Sequence, residues 1–459
     1  MTADDRLKNL KGDSRRRFLK FASAVGAGMA LERSEVLNVI NDSAGTAMAD
    51  EAACATTNRS ISLVGGNGGF AWFQLLFPHK EVSQANNNNF AYHASAADSP
   101  LAGDTDRDIH FSPNTPWRDK THRITAMMAG TNETHTAVPT SAANLDGTGM
   151  LAAIASIQAE LPALLPVIGV EPFSFGTADG APAVTRVDDP EGMIELFNSS
   201  ASRSILAIEE DSAQYEAFYK AFLGLNRAAA RPTMQGQMRI TKASANFLGR
   251  NLANMLRPTQ EDRTRYGIQG APNNIEELGT GLIIATKAFR MGLTNAVILT
   301  ALRDDPHQAF NDMNNLNNRV GRLQQMLDAL MEDLEGTPDP ACTNQNLADT
   351  TVLTIHGDTP KTPLNRSGWP DGTPGDCNWL YVLGAGYLKT GWFGEVRANN
   401  TAVGFDPATG ENLPSQAADV TSAAAGAAAL YALAQGDMRR VERFYNGGSI
   451  DGLVNEVLL

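Results

Sequence analysis

The sequence predicts an α/β fold in which helices cover both faces of a mainly parallel sheet. Two buried strands, at residues 295–302 and 350–356, are separated by a long helical segment. A further helix at residues 275–292 precedes the first of them, and Gly292 stands where that helix should end. Alternating strands and helices favour parallel pairing, because a helix carries the chain back to the start of the next strand.

Hydrophobic periodicity places the other elements along the chain. Short apolar runs bounded by glycine, proline or polar residues predict strands at residues 60–64, 124–129, 163–170 and 380–383. Apolar residues at helical spacing predict helices at residues 149–161, 190–226, 240–257 and 423–434. The long helix presents one apolar face, formed by Met313, Leu316, Val320, Leu323, Leu327, Leu330 and Leu334. Residues 84–120, rich in Asn, Asp and Pro, predict long surface loops.

The composition is that of a globular protein with an acidic surface. The 459 residues are 42% hydrophobic and 19% charged, which is enough to bury a core. Lys and Arg number 37 against 51 Asp and Glu, a net charge of -14 that disfavours binding to nucleic acid. No apolar run reaches the ~20 residues of a membrane-spanning helix, so no transmembrane anchor is predicted. With 7 His and 3 Cys, the chain has too few ligands for multi-haem, zinc-ribbon or iron–sulfur frameworks.

The first 49 residues predict a twin-arginine export signal. Residues 14–20, Ser-Arg-Arg-Arg-Phe-Leu-Lys, precede a short apolar segment rich in Gly and Ala. An Ala-Met-Ala sequence has the small-x-small form of a peptidase site, so cleavage after Ala49 is expected. The chain then divides into a signal peptide with its linker, 1–49, and a single α/β domain, 50–459, located in the periplasm or secreted. The alternative is a basic amphipathic helix on a cytosolic protein.

Export would place the three cysteines, Cys54, Cys342 and Cys377, in an oxidising compartment. An odd number leaves at least one thiol unpaired within the chain. Cys342 and Cys377 are candidates for a disulfide, although their spacing does not establish the pairing.

The loops expected at the carboxyl ends of strands, where ligands bind in such sheets, are residues 65–69, 303–308 and 356–378. The first, Gly-Gly-Asn-Gly-Gly, either cradles an anion through backbone N–H groups or forms a tight turn. In the second, Asp305 and His307 stand two residues apart. A carboxylate and an imidazole at this spacing are able to bind one metal ion. The alternative is a solvated loop pair in which Asp305 caps the following helix.

Four segments, taken in order, resemble the domain-of-unknown-function 1501 family, whose members are twin-arginine-exported, sulfatase-like proteins of the alkaline phosphatase superfamily. The four cover most of residues 60–435. The glycine loop resembles the family's R-G-G-x-D-G-L element and Thr134-His135 its S-H element. Asp305-Pro306-His307 resembles its D-T-H element. The stretch at residues 349–365, which includes Lys361, resembles its D-T-T-V…E-F-G-R-T-P-K-x-N segment and is followed by similar glycines.

This resemblance implies both a fold and a chemistry. The fold is a three-layer α/β/α sandwich of the alkaline phosphatase type with a mainly parallel sheet. The chemistry is hydrolysis of phosphate or sulfate esters assisted by a divalent metal such as zinc, calcium or manganese. The resemblance assigns metal binding to Asp305, His307, Asp376 and Cys377, and a catalytic role to Thr134 and His135.

The sequence departs from the family at three positions that carry this chemistry. Gly68 replaces the early Asp, and an Asp-Cys pair replaces the late Asp-His. Residues 355–358, Ile-His-Gly-Asp, replace E-F-G-R, which reverses a charge where an anionic substrate should bind. We therefore expect an exported sulfatase-like protein with a degenerate metal site and an envelope partner. The alternative is an active metal-dependent hydrolase of a small anionic ester, with a rearranged site built on Asp305, His307, Asp376 and His135. His356 and Asp358 are further candidates for such a site, and the other interpretation of His356 is a strand-end residue whose hydrogen bonds are satisfied by the backbone.

Overall fold

The computed structural model describes most of the sheet and the helices that pack on it. The described residues are 56–76, 124–130, 138–198, 252–357 and 378–455, each apart from at most a few positions, with Lys361, Gly368 and Trp369. The predicted export signal at 1–49 and the predicted loops at 84–120 lie outside these residues and stay predictions.

The chain divides into two compact units, one formed by residues 1–53 with 197–255 and the other by residues 54–196 with 256–459. The structure describes only a few residues of the first unit. The large sheet and the candidate site belong to the second. A single domain over residues 50–459 stays a prediction.

The thirteen described strands form one large sheet and two small ones. They are β1 (Arg59–Gly66), β2 (Ile124–Met128), β3 (Asn144–Leu145), β4 (Thr148–Gly149), β5 (Leu165–Val170), β6 (Thr185–Val187), β7 (Thr294–Arg303), β8 (Thr351–His356), β9 (Trp379–Leu383), β10 (Gly391–Phe393), β11 (Glu395–Val396), β12 (Ala402–Phe405) and β13 (Asn412–Leu413). The large sheet has eight strands in the order β10-β2-β9-β8-β1-β7-β5-β6. The two small sheets are β11-β12-β13 and β3-β4.

The large sheet is mainly parallel, as the sequence predicts. Five of its neighbouring pairs are parallel. Only β9 runs against its neighbours, β2 and β8. Strands β6 and β10 are not predicted from the sequence, because each has three residues and offers no periodicity to recognise.

Helices lie on both faces of this sheet. The described α-helices are α1 (Phe70–Leu76), α2 (Met150–Gln158), α3 (Pro190–Glu195), α4 (Leu252–Leu256), α5 (Gln260–Arg265), α6 (Asn273–Arg290), α7 (Met313–Gly336), α8 (Ala418–Leu433) and α9 (Met438–Val441). A Cβ at Gly281 of α6 would lie 2.8 Å from Leu299 of β7, so this helix packs closely on one face. On the other face, the Ser60 hydroxyl donates to Gln158 of α2 at 3.3 Å. Ser60 pairs with Ala296, and alternation along β7 then puts Leu299 on the opposite face.

The helices predicted at 149–161, 275–292 and 423–434, and the long helix with one apolar face, appear in the structure with shifts at their ends. Gly292 has a φ of +66°, and its N–H donates to the Phe289 carbonyl at 3.0 Å, so this glycine ends α6 as predicted. The helices predicted at 190–226 and 240–257 are described only at α3 and α4. Among the described helices, none is long and apolar enough to cross a bilayer.

Asp312 caps the long helix α7. Its side chain accepts a hydrogen bond from the Asn315 N–H at 3.1 Å. The alternative in which Asp305 caps this helix is therefore wrong, because a 3₁₀ turn at Ala309–Asn311 separates Asp305 from the first helical turn. The apolar face predicted for this helix is buried from Leu316 onward.

A buried ion pair fixes the amino end of β1. Arg59 Nη1 lies 2.8 Å from Asp339 Oδ2, with side-chain exposures of 6% and 1%. Arg59 also donates to the Thr350 hydroxyl at 3.4 Å. The pair therefore ties the first residue of the central strand to the loop that follows α7.

Replacing Asp339 by Asn should lower the free energy of unfolding by about 3 kcal/mol, because the Arg59 guanidinium would stay buried without its counter-ion. Urea denaturation followed by circular dichroism measures the loss. Arg439→Ala is the matched control, since its ion pair with Asp437 is exposed, and it should leave the urea midpoint unchanged. Equal shifts in both variants would contradict the importance of burial.

Candidate functional site

Strand β1 lies between β7 and β8 and is parallel to both, so the three strands end at the same edge of the sheet. Ligands bind at this carboxyl edge in open parallel sheets. A glycine turn follows β1, the Asp-Pro-His loop follows β7, and Lys361 follows β8. Residues that are far apart in the sequence thus meet at one place.

The glycine turn packs directly on the loop after β7. A Cβ at Gly69 would lie 1.5 Å from the Leu302 carbonyl oxygen, so no side chain fits there. Gly68 has a φ of +77°, and a Cβ there would lie 3.3 Å from Asp305 Oδ1. The Gly69 N–H donates to the Gly66 carbonyl at 3.1 Å. The Gly69 N–H is therefore bonded within the turn, and the close contacts account for Gly68 and Gly69. Both observations support a tight turn rather than an anion cradle.

Asp305, His307 and Lys361 form a compact cluster. His307 Nε2 lies 3.0 Å from Asp305 Oδ2 and 3.2 Å from Lys361 Nζ. The Lys361 ammonium also forms an ion pair with Asp305 Oδ1. The Lys361 side chain is fully buried, while Asp305 is 27% and His307 46% exposed. The cluster is therefore closed on its lysine side and open to solvent on its histidine side.

The protonation of His307 decides which contact is a hydrogen bond. An ammonium only donates, so Lys361 bonds to Nε2 when that nitrogen carries no proton. A protonated Nε2 donates to Asp305 instead. In the first state a carboxylate and an imidazole both face one cation. This is the donor set that a divalent metal uses, with an ammonium in the place of the metal.

A second ion pair also holds this loop. Asp304 pairs with Arg319 of α7, whose guanidinium lies over the Trp72 ring at 5.3 Å from the centroid. Burial lowers the pKa of the Arg319 guanidinium. The neighbouring aspartates thus have separate cationic partners, Arg319 for Asp304 and Lys361 for Asp305.

The loop after β7 is also held at its far end. Gln308 has a φ of +56°, and its N–H donates to the Gly368 carbonyl at 2.9 Å. The Phe310 ring packs edge-on against Trp369, with centroids 5.0 Å apart. The tertiary contacts of these residues fix the backbone on which His307 stands.

Of the site residues that the sequence predicts, the structure brings Asp305 and His307 together. Those that lie outside the described residues are Thr134, His135, Asp376 and Cys377. Among the residues that are described, no group of three or more His, Cys, Asp or Glu side chains is placed to hold a metal ion. The metal-binding and catalytic roles stay predictions.

His356 does not lie in an open site. It is fully buried in β8, where its Nε2 is 2.7 Å from the Thr354 hydroxyl, which in turn donates to Ser62 at 3.0 Å. Among the residues that the structure describes, its Nδ1 has no hydrogen-bond partner. Burial lowers the pKa of His356 to about 3, so the imidazole is neutral at neutral pH. The possible partner Asp358 lies outside the described residues.

Lys361 is the site residue that the sequence analysis misses. It is quoted in the family pattern but not assigned to the site, because a lysine is expected on the surface. Its position shortly after β8, at the edge where Asp305 was predicted, is the one signal in the sequence that it belongs to the site.

No known protein family, curated protein or solved structure matches this chain.

Gly69→Ala should destabilise the protein by about 3 kcal/mol, since the new methyl group would overlap the Leu302 carbonyl and push the turn off β7. Thermal unfolding compares it with Gly336→Ala, where no atom lies within 4 Å of the new methyl group and little change is expected. A neutral Gly69→Ala would contradict the packing of the turn on the loop.

His356 should make the protein more stable as the pH rises from about 3 to 6.5. In this window the unfolded histidine binds a proton that the buried histidine does not, so stability is lost on acidification. His356→Gln, which does not titrate, should lose about 1–2 kcal/mol less than the wild type between pH 7.5 and pH 5. Urea midpoints at the two pH values measure this difference, and parallel losses would show that the buried histidine does not contribute.

Proposed function

We propose that this chain is an exported, sulfatase-like domain protein with a degenerate metal site, and that it acts in the cell envelope by binding or assembly. The observation that carries the proposal is the place of Lys361. Its ammonium is fully buried, pairs with Asp305 and lies 3.2 Å from His307. A cation supplied by the chain itself thus contacts both of the side chains expected to bind a metal.

The charge of this lysine argues against metal-assisted hydrolysis. A divalent ion beside Asp305 and His307 would meet a buried ammonium that has no solvent to screen it. Removing the ammonium from its carboxylate would leave a buried charge unpaired, which is costly. Gly68, which packs on Asp305, has no carboxylate to compensate. A metal would therefore bind weakly, and a site that is seldom occupied by metal supports little metal-assisted turnover.

The topology of the sheet supports the family resemblance, and this support does not depend on any single motif. Three of the four resembling segments lie at the carboxyl ends of β1, β7 and β8, which are neighbours in the sheet although the segments are separated by more than 40 residues along the chain. Segments that form one site are expected to meet in this way. An alkaline phosphatase-like three-layer sandwich is accordingly the fold that we propose.

Location and partner follow from the sequence. The twin-arginine pattern supports a periplasmic or secreted protein. The net charge of -14 disfavours nucleic acid as a partner. An envelope protein is the partner that we propose, and a small anionic ester is the ligand if the site is active.

The second candidate function is an active metal-dependent hydrolase of phosphate or sulfate esters. The observation that favours it is the solvent-facing pair of Asp305 and His307, 3.0 Å apart at the carboxyl edge. In this case Asp376 and Cys377 would complete the ligands of a zinc, calcium or manganese ion, and Thr134 with His135 would act on the ester. Lys361 would then face the anionic substrate.

Elemental mass spectrometry of the purified mature protein distinguishes the two functions. We expect the wild type to hold well under 0.1 mole of zinc, calcium or manganese per mole, because the ammonium takes the cation position. Lys361→Ala should take up metal when zinc is added, since it frees Asp305 and His307. Lys287→Ala, which removes a lysine paired with Asp262 elsewhere, is the matched control and should resemble the wild type.

Near-stoichiometric metal in the wild type, lost in Asp305→Ala/His307→Ala, would overturn the proposal in favour of the hydrolase. Circular dichroism of each variant shows whether the comparison is between folded proteins. Hydrolysis of a nitrophenyl phosphate or sulfate by the wild type, abolished in the same double variant, would lead to the same conclusion.

A further inference from the structure

Cys342 is buried and disulfide-bonded. The chain has two other cysteines, Cys54 and Cys377, and both lie outside the described residues. The position of Cys342 in the fold, together with described residues next to the other two, decides between them.

Cys342 lies at the amino edge of the sheet. Its N–H donates to the Asp339 carbonyl at 3.2 Å. Asp339 is paired with Arg59, the first residue of β1, and Arg59 is in register with Thr351, the first residue of β8. These contacts place Cys342 close to the first residues of β1 and β8.

Cys377 is covalently bound to a residue at the opposite edge. Asn378 N–H donates to the Gly130 carbonyl at 2.8 Å, just beyond the end of β2. Strand β9 begins next to Asn378, and its Leu380 is in register with His356, the last residue of β8. Adjacent Cα atoms are about 3.8 Å apart, so a disulfide to Cys377 requires a partner cysteine close to Asn378, at this carboxyl edge.

The two edges are too far apart for one disulfide. Thr351 and His356 are five residues apart along β8, about 16 Å at the rise of a strand. Bonded cysteines have Cα atoms no more than about 7 Å apart. A bond between Cys342 and Cys377 would have to cross the sheet, so the pairing considered in the sequence analysis is not compatible with this fold.

We propose that Cys342 is bonded to Cys54. Thr56, two residues after Cys54, accepts a hydrogen bond from Arg440 through its carbonyl at 2.8 Å. Asn58 N–H donates to the Leu433 carbonyl at 2.8 Å, just before β1 begins. The chain that leads into β1 therefore runs along the amino edge, within reach of Cys342, and Cys54 belongs to the same compact unit.

The bond forms by oxidation of two thiols. A disulfide of an oxidising partner accepts two electrons and two protons by thiol–disulfide exchange and leaves as a dithiol, while Cys54 and Cys342 become one disulfide. The result is a covalent link beside the Arg59–Asp339 ion pair. Cys377 is left with no cysteine to pair with inside the chain.

Trypsin separates the three cysteines into three peptides: residues 34–59, shortened to 50–59 where the predicted signal has been removed, 323–361 and 367–389. The full chain, alkylated under denaturing conditions without reductant and then digested, should give the first two peptides joined by a disulfide. The third should carry the alkyl group. Reduction before alkylation should release all three as alkylated peptides. A disulfide joining 323–361 to 367–389, or alkylation of all three cysteines in oxidised protein, would overturn the proposal.

Thermal unfolding gives a second measurement. Cys54→Ser and Cys342→Ser should each lower the Tm of oxidised protein by about 5 °C or more, and adding reductant should lower the wild-type Tm similarly. Cys377→Ser is the matched control and should keep both the linked peptide and the Tm. Loss of the linked peptide in Cys377→Ser, or a Tm unchanged in Cys54→Ser, would contradict the pairing.

Discussion

The parallel pairing of β1 with β7 on one side and β8 on the other is the constraint on which the rest of the structure depends. It makes β1 a fully buried strand. It also requires that all three strands begin at one edge of the sheet, the amino edge, and end at the opposite carboxyl edge. At the amino edge this brings Arg59 to Asp339, and at the carboxyl edge it brings the glycine turn to Asp305. The ion pair at one edge and the candidate site at the other both follow from this arrangement.

At the carboxyl edge the decisive quantity is the cost of burying an ammonium. A lysine removed from water needs a counter-ion close by, and Lys361 has the Asp305 carboxylate. That requirement holds the loop after β7 against the segment after β8. It also uses an oxygen of the carboxylate that the family pattern assigns to a metal. The same contact therefore stabilises the loop, and in the function that we propose it also opposes metal binding.

The face of the sheet toward α2 uses uncharged polar groups instead. Ser62, Thr354 and His356 form a buried chain of side chains across β1 and β8. Because His356 is held neutral, no counter-ion is needed there. Strand β8 thus ends in a neutral buried histidine, and the segment that follows it supplies a charged buried lysine. Lys361 stays charged because the fold places the Asp305 carboxylate beside it.

The sequence by itself determined the elements whose pattern is local. The apolar runs of β7 and β8, the one-sided apolar face of α7 and the glycine that ends α6 are all readable from periodicity and backbone preference. The sequence also led to the expectation that Asp305 and His307 lie at the carboxyl edge of the sheet. The tertiary structure decided that β9 runs against its neighbours, that His356 is buried, and that Lys361 faces His307 from 54 residues away. These depend on which strands pair and on which charges lose water together, and neither is encoded in the spacing of residues along the chain.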